Sequence, residues 1–130
     1  MISVCMATYN GEKFIEEQVH SILSQLGQED ELIVSDDSSS DMTLFLLRQM
    51  KDRRIKIFSN TMGKGYVGNF ENALIHAKGD FIFLSDQDDV WIPDKVKKVM
   101  EGLKAYDFVV TDAAVVDEKL SIISSSHFKI

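Results

Sequence analysis

The chain has 130 residues, of which 45% are hydrophobic and 27% charged, and its formal net charge is −7. This is the size and composition of one soluble domain with a buried core, and no apolar run approaches the roughly 20 residues that a membrane-spanning helix needs. The negative charge disfavours nucleic acid as a partner, and the single cysteine excludes a disulfide framework. Because the N-terminus also lacks the basic segment of a signal peptide, we expect a cytoplasmic protein with one domain at residues 1–130.

Short apolar runs alternate with amphipathic stretches along the chain, which is typical of βα units on a mainly parallel sheet. The predicted strands lie at residues 2–8, 31–35, 54–58, 80–85 and 107–113, with a further short strand within 118–126. Several of them are rich in β-branched residues, as buried parallel strands commonly are. The sequence therefore predicts an α/β fold.

Amphipathic helices are predicted between the strands. The first ends near the stop signal Gly27, and the second is capped by Ser40 or Asp41, whose side chains can accept an orphan backbone N–H. The fourth begins at Pro93, because proline suits a first helical turn. The apolar residues expected to face the sheet are Val67, Phe70, Leu74 and Ala77 in the third helix and Val96, Val99, Met100 and Leu103 in the fourth.

A polar segment follows each predicted strand. The carboxyl ends of parallel strands meet at one edge of a sheet, where open α/β folds bind their ligands, so we expect one composite site. In the second segment Asp41 is expected to cap a helix, whereas Asp36 and Asp37 suit a turn and a ligand site equally well. The segments are ATYNG (7–11), SDDSSSD (35–41), SNTMGKG (59–65), SDQDD (85–89) and TDA (111–113).

Three carboxylates, Asp86, Asp88 and Asp89, follow the fourth strand within four positions. One of them suffices to cap the turn before Pro93, so two are surplus, and neighbouring carboxylates repel one another. A divalent cation would compensate them. Oxygen ligands select Mg²⁺ or Mn²⁺, which keep several waters and commonly bridge to a substrate phosphate.

Other classes of site fit parts of this pattern. An EF-hand needs glycine at its sixth loop position, where this chain has Trp91, so that motif fails. Gly63, Gly65 and Gly68 form a G-x-G-x-x-G between a strand and a helix, which leaves a dinucleotide-binding domain as an alternative, although that motif normally occupies the first βα turn. A phosphoacceptor receiver domain would need its acidic pair after the first strand, where residues 8–10 are Thr-Tyr-Asn.

Taken in order, three segments resemble the N-terminal nucleotide-binding half of the inverting family 2 glycosyltransferases. They are ISVCMATYNGEKFIEEQVHSIL, ELIVSDDSSSD and GNFENALIHAKGDFIFLSDQDDVWIPDKV. The resemblance covers essentially the whole chain. It implies the GT-A fold, a Rossmann-like, open and mainly parallel sheet flanked by helices, which we expect to be truncated here at its C-terminal end.

The resemblance implies that a nucleotide binds at the ends of the first two strands. Tyr9 would stack on the pyrimidine of the donor, with Ala7 and Thr8 lining the pocket. Asp37 would accept a hydrogen bond from the ring N–H of the base.

The same resemblance assigns the acidic triplet to the D-x-D element of the family. Asp86 and Asp88 then belong to the nucleotide site, with one of the acids touching the ribose. Asp88 or Asp89 holds Mn²⁺ or Mg²⁺ on the diphosphate. The segment SDQDDVW looks most like the corresponding segment of bacterial rhamnosyltransferase-like members of the family.

The implied activity is transfer of a sugar from a UDP- or dTDP-sugar to a saccharide or lipid-linked acceptor in cell-surface polysaccharide synthesis. We expect the full-length protein to associate peripherally with the inner face of the membrane. The catalytic base of the family lies in the following half, so we expect it beyond residue 130 and the chain alone to be inactive. The alternative function is that of a metal-dependent nucleotide-binding module without turnover. Exposed apolar residues near Ile122 and Ile123 would favour self-association.

Overall fold

The computed structural model describes residues 1–128, so residues 129 and 130 of the predicted domain lie outside that range. The chain divides into two compact units, Met1–Pro93 and the segment from Asp94 onward. The first four predicted strands are confirmed, each to within one residue at either end. The elements of the first unit are β1 (Ile2–Thr8), α1 (Ile15–Leu23), β2 (Glu31–Asp36), α2 (Thr43–Gln49), β3 (Ile55–Ser59), α3 (Tyr66–His76) and β4 (Phe81–Ser85).

The four strands of the first unit form a parallel sheet in the order β3-β2-β1-β4. The chain builds outward from β1 through β2 to β3 and then returns to place β4 on the other side of β1. Strand order therefore reverses between β1 and β4, which is where open α/β sheets bind ligands. Val4, Cys5 and Met6 of β1 are fully buried, so the loop that follows β1 starts from a close-packed base.

Helix α3 lies against β1 and β2, but it presents a different face from the one that the apolar spacing predicts. Val67 is 67% exposed and Leu74 is 42% exposed, so their predicted burial is wrong. The buried residues of α3 are Asn69, Asn72 and Ala73. Hydrophobic periodicity does not detect this face, because two of its three buried residues are asparagines that hydrogen-bond to the strands.

The hydrogen bonds of Asn72 show why α3 is rotated in this way. Its Nδ2 donates to Ser35 Oγ at 2.8 Å and to the carbonyl of Ser59 at 3.1 Å, at the ends of β2 and β3. Ala73 in the same face packs with Cys5 and Ile33 of the sheet. Polar anchors and one small apolar residue therefore set the orientation of the helix.

Local hydrogen bonds also set the ends of α1 and α2. The predicted stop at Gly27 comes four residues after the observed end of α1 at Leu23, because tighter i→i+3 bonds, such as Leu26 N–H to the carbonyl of Leu23 at 3.3 Å, replace regular helix. At the start of α2, Asp41 Oδ1 accepts the N–H of Thr43 at 2.9 Å. Asp41 rather than Ser40 therefore accepts the orphan N–H, from the position before the N-cap residue Met42.

The second unit contains α4 (Lys95–Leu103) and an antiparallel pair of short strands, β5 (Val115–Val116) and β6 (Ile122–Ser124). Val96 and Val99 are buried as predicted, whereas Met100 and Leu103 are only half-buried. Strand β6 confirms the short strand expected within 118–126. The predicted strand at 107–113 is wrong, because no strand forms there and Phe108 is 80% exposed.

Side-chain hydrogen bonds explain the conformation at the end of that segment. The carboxylate of Asp112 accepts the N–H of Ala113 at 2.7 Å and that of His127 at 3.0 Å, together with the hydroxyl of Ser126. Local bonds of this kind satisfy the backbone without a strand partner. Within residues 1–128, none of the helices combines the length and the apolar character needed to cross a bilayer.

Candidate functional site

A pocket of about 310 Å³ lies at the edge of the sheet where β1, β2 and β4 end. It contains all six residues that the sequence assigns to nucleotide binding. Asp89, which the sequence pairs with Asp88 for the metal, is not among the lining residues. The lining residues are Ala7, Thr8, Tyr9, Asp37, Gly65, Tyr66, Asn69, Phe70, Asp86, Gln87 and Asp88.

The two strand-end aspartates of β2, which the sequence leaves undecided, have different environments. Asp36 is buried, and its carboxylate accepts hydrogen bonds from Thr8 Oγ1 at 2.7 Å and from the Ser39 N–H at 2.9 Å. Asp37 instead lines the pocket. Asp36 is therefore a turn residue, and Asp37 is the one available to a ligand.

Asp37 also holds the glycine-rich loop that precedes α3. Its carboxylate accepts the N–H of Gly65 at 2.9 Å and Asn60 Nδ2 at 3.0 Å. The N–H of Gly65, followed by the Asn60 amide, lowers the pKa of Asp37, so the group is ionised at neutral pH. Gly63 and Gly65 both have positive φ, 108° and 100°, a backbone conformation that favours glycine. The G-x-G-x-x-G spacing is therefore explained in part by the shape of this loop.

Asp86 and Asp88 place two carboxylates on the pocket wall. Burial of the Asp86 carboxyl, and then the nearby negative charge of Asp88, raise the pKa of Asp86. The ionised form of Asp86 is therefore destabilised by its burial and by the neighbouring carboxylate. A cation at this position would remove the penalty.

The donor set fits a hard divalent cation that shares its coordination with a ligand. Within residues 1–128, no group of three or more His, Cys, Asp or Glu side chains could hold a metal ion by itself. Mg²⁺ and similar ions are commonly held by one or two carboxylates together with substrate phosphates and waters. Asp86 and Asp88 supply two such carboxylates in one pocket, so the residues present suit that mode and not an all-protein cage.

Three functional residues were missed by the sequence reasoning. Gln18 of α1 is fully buried and donates from Nε2 to Ser85 Oγ at 2.6 Å and to the carbonyl of Asp86 at 3.0 Å. A glutamine inside the apolar stripe of a predicted helix was the signal that could have revealed it. Gln87 forms two hydrogen bonds with the backbone of Tyr9.

The third missed residue is Asn69, which is 2% exposed and lines the pocket. Its Nδ2 donates to the carbonyl of Thr8 at 3.0 Å. Its Oδ1 is buried and accepts no hydrogen bond from residues 1–128. A buried acceptor without a partner costs about 1–3 kcal/mol, so a donor group that reaches it would be stabilising.

Solved structures of glycosyltransferases share this fold. A mannosyltransferase of Pyrobaculum calidifontis, solved with GDP-Man and Mn²⁺, is 26% identical with a TM-score of 0.74 over 89% of this chain and 35% of that one. TarS 1–349 of S. aureus, solved with UDP-GlcNAc, is 28% identical with a TM-score of 0.69 over 82% of this chain and 32% of that one. The parallel sheet with its flanking helices is therefore the GT-A fold.

Sequence relatives place the chain more narrowly. A glucosyltransferase of Escherichia coli, UDP-Glc:alpha-D-GlcNAc-diphosphoundecaprenol beta-1,3-glucosyltransferase WfgD, is 40% identical over 75% of this chain and 38% of that protein. The dTDP-rhamnosyl transferase RfbG of Shigella flexneri is 37% identical over 75% of this chain and 36% of that protein. The profile described as Glycosyl transferase family 2 matches residues 3–127, and the chain belongs to that family. It spans less than half the length of these two relatives.

Proposed function

We propose that residues 1–130 form the donor-binding part of a metal-dependent, inverting glycosyltransferase that uses a UDP- or dTDP-sugar. The observation that carries the proposal is the pocket itself, which gathers an aromatic ring, an ionised carboxylate and a carboxylate pair at the ends of three strands. Each of these groups suits one part of a nucleotide sugar. The family membership supports the same reading.

Tyr9 and Asp37 recognise the base in this proposal. The Tyr9 side chain is 58% exposed beside the pocket, so its ring is accessible for stacking on a pyrimidine. A carboxylate offers about four acceptor positions, and Asp37 uses two of them for Asn60 and Gly65. The remaining positions accept the ring N–H of uracil or thymine.

Asp86 and Asp88 would hold the ribose and the metal ion on the diphosphate, and Asp89 would share in binding the metal ion. When bound, Mn²⁺ or Mg²⁺ neutralises the charge that develops on the leaving diphosphate. Asn69 contributes its unpartnered buried Oδ1 to the same pocket and would accept a hydroxyl or N–H of the donor.

The catalytic base is proposed to lie outside residues 1–130. An inverting transfer needs a base that deprotonates the acceptor on the face opposite the leaving group. Asp112 does not suit this role, because hydrogen bonds, first from Ser126 and then from Ala113, lower its pKa to about 2 and leave a weak base. We therefore expect this chain to bind donor without transferring sugar, whereas the full-length protein would transfer it.

A membrane-linked acceptor is the natural extension of this proposal. WfgD is named for an acceptor linked to undecaprenol diphosphate, and RfbG for a dTDP-linked donor. We propose a saccharide or lipid-linked acceptor in cell-surface polysaccharide synthesis, at the cytoplasmic face of the membrane. A full-length protein that transferred only to free sugars and never to lipid-linked saccharides would contradict this acceptor assignment.

The test of donor binding is a thermal-shift and calorimetric titration of the chain with UDP, dTDP and NAD, each with Mn²⁺ and with EDTA. We expect UDP or dTDP to raise the melting temperature strongly only with Mn²⁺, because a ligand stabilises the folded chain more as its concentration exceeds its Kd. NAD serves as the control for the G-x-G-x-x-G alternative. Equal stabilisation by NAD in EDTA would favour the dinucleotide-binding domain and reject the proposal.

A further inference from the structure

Gln87 comes between Asp86 and Asp88 in the sequence, and its side-chain amide forms hydrogen bonds with the backbone N–H and carbonyl of Tyr9. Tyr9 N–H donates to Gln87 Oε1 at 2.9 Å, and Gln87 Nε2 donates to the carbonyl of Tyr9 at 2.9 Å. The Gln87 amide therefore satisfies the two backbone groups of Tyr9 that a neighbouring strand would otherwise pair with. Because both bonds act on the same peptide backbone, they restrain its rotation as well as its position.

This amide joins two segments that the sheet no longer connects. The register of β1 with β4 ends at Met6 and Ser85, before either loop reaches the pocket. Tyr9 belongs to the loop after β1, and Gln87 to the loop after β4. At the point where strand order reverses, the Gln87 side chain thus hydrogen-bonds the acidic side of the pocket to its aromatic side.

The packing around Gly11 leaves room for this contact. A Cβ atom added at Gly11 would lie 2.3 Å from Gln87 Oε1 and 2.7 Å from Gln87 Cδ, far inside van der Waals contact. The backbone of Gly11 does not have positive φ, so an alanine there adds a clash without backbone strain. The clash would fall on the end of the flexible Gln87 side chain, which would have to move away from Tyr9.

We propose that Gln87 is a positioning residue that sets the Tyr9 ring for the nucleobase and couples it to the Asp86–Asp88 side of the pocket. The inference rests on the proposed function, because it assumes that the base stacks on Tyr9. In this role Gln87 does not need to touch the metal ion, although it comes between Asp86 and Asp88 in the sequence. Loss of the amide therefore weakens the binding of the base itself.

The test uses Gln87→Met, which keeps the length of the side chain and removes both hydrogen bonds. UDP affinity is measured by calorimetry in Mn²⁺, beside Gln49→Met, the same change at an exposed position of α2. We expect Gln87→Met to lose about fivefold or more in UDP affinity, and Gln49→Met to leave it unchanged. Gly11→Ala, which displaces the amide instead of removing it, should lose affinity in the same way.

A Tyr9→Ala background separates positioning from a general effect on the fold. Once the ring is absent, Gln87→Met should cost no further UDP affinity, whereas a purely structural role would add its full cost. The inference is overturned if Gln87→Met and Gly11→Ala bind UDP within twofold of the unmodified chain, or if Gln87→Met loses as much UDP affinity in the Tyr9→Ala background as it does in the unmodified chain. If Gln87→Met fails to fold, Gly11→Ala decides alone. Failure of the unmodified chain to bind UDP would instead reject the proposed function.

Discussion

Replacing Gln18 by methionine tests the support of the acidic loop from inside the domain. The side chain is fully buried between α1 and the end of β4, where Nε2 donates to Ser85 Oγ and to the carbonyl of Asp86. Methionine has a similar length and volume, so the change leaves little cavity and removes mainly these polar contacts.

The expected cost follows from the bonds that are lost. Two hydrogen bonds of about 1 kcal/mol each give a loss of about 2 kcal/mol. The loss of unfolding free energy stays near about 2 kcal/mol because the Ser85 hydroxyl still donates to the carbonyl of Asp86 at 3.0 Å. That carbonyl is therefore not left without a hydrogen bond. With an unfolding entropy of about 2.1 cal/mol/K per residue over 130 residues, 2 kcal/mol corresponds to a fall of roughly 7 °C in melting temperature.

The assay is thermal and urea unfolding followed by circular dichroism, with Gln49→Met as the matched control at an exposed helical position. The control should change the melting temperature by less than about 2 °C, as surface substitutions usually do. We also expect the Gln18 variant to bind UDP with Mn²⁺ more weakly, because Asp86 is then held less firmly. If Gln18→Met melts within about 2 °C of the unmodified chain, the contacts of its amide do not support the loop.

Three further predictions concern other carboxylates and the thiol. Asp37→Ala should weaken UDP binding while Mn²⁺ binding measured by electron paramagnetic resonance stays unchanged, and an unchanged UDP affinity would remove Asp37 from the base site. Burial raises the pKa of Glu31, but the hydrogen bonds from Lys56, Ser3 and the Lys78 N–H together hold that pKa below its ordinary 4.5. The ionised Glu31 therefore stabilises the fold above pH 4.5, and this stabilisation is lost as the pH falls through the lowered pKa. Glu31→Gln should flatten this acid branch of a stability–pH curve, and an unchanged branch would contradict the assignment. Burial, followed by the charge of Glu31, raises the pKa of the Cys5 thiol to about 11. The folded chain should therefore not react with a disulfide reagent at pH 8, whereas the chain unfolded in urea should react. Rapid labelling of the folded chain would refute the burial of Cys5.

Local pattern was sufficient for the strands and for the position of the site. The runs that became β1 to β4 are short, apolar and separated by helical segments, and this arrangement permits few folds other than a parallel α/β sheet. Once the strands are parallel, their carboxyl ends must meet. That Tyr9, Asp86 and Asp88 lie at one edge of the sheet was therefore predictable from the order of the polar segments, whereas the choice of Asp37 over Asp36 for the pocket was not.

Local pattern was insufficient where side chains distant in sequence compete for the same partners. The spacing of Val67 and Leu74 predicted one buried face of α3, but the bonds of Asn72 to β2 and β3 turned another face inward. Residues 107–113 have the composition of a strand, yet they form none, and the carboxylate of Asp112 bonds instead to residues near 126 and 127.

The sequence by itself determined the α/β class, the order of the four strands along the chain and the acidic and aromatic groups of the pocket, because periodicity and turn chemistry are local properties. The tertiary structure alone decided that Asp36 serves the turn while Asp37 faces the pocket, and that Gln18 and Gln87 hold the acidic loop. Tyr9 and Gln87 are separated by 78 positions along the chain. The energy of such a contact depends on how two loops meet after the sheet has formed, and no window of neighbouring residues contains that information.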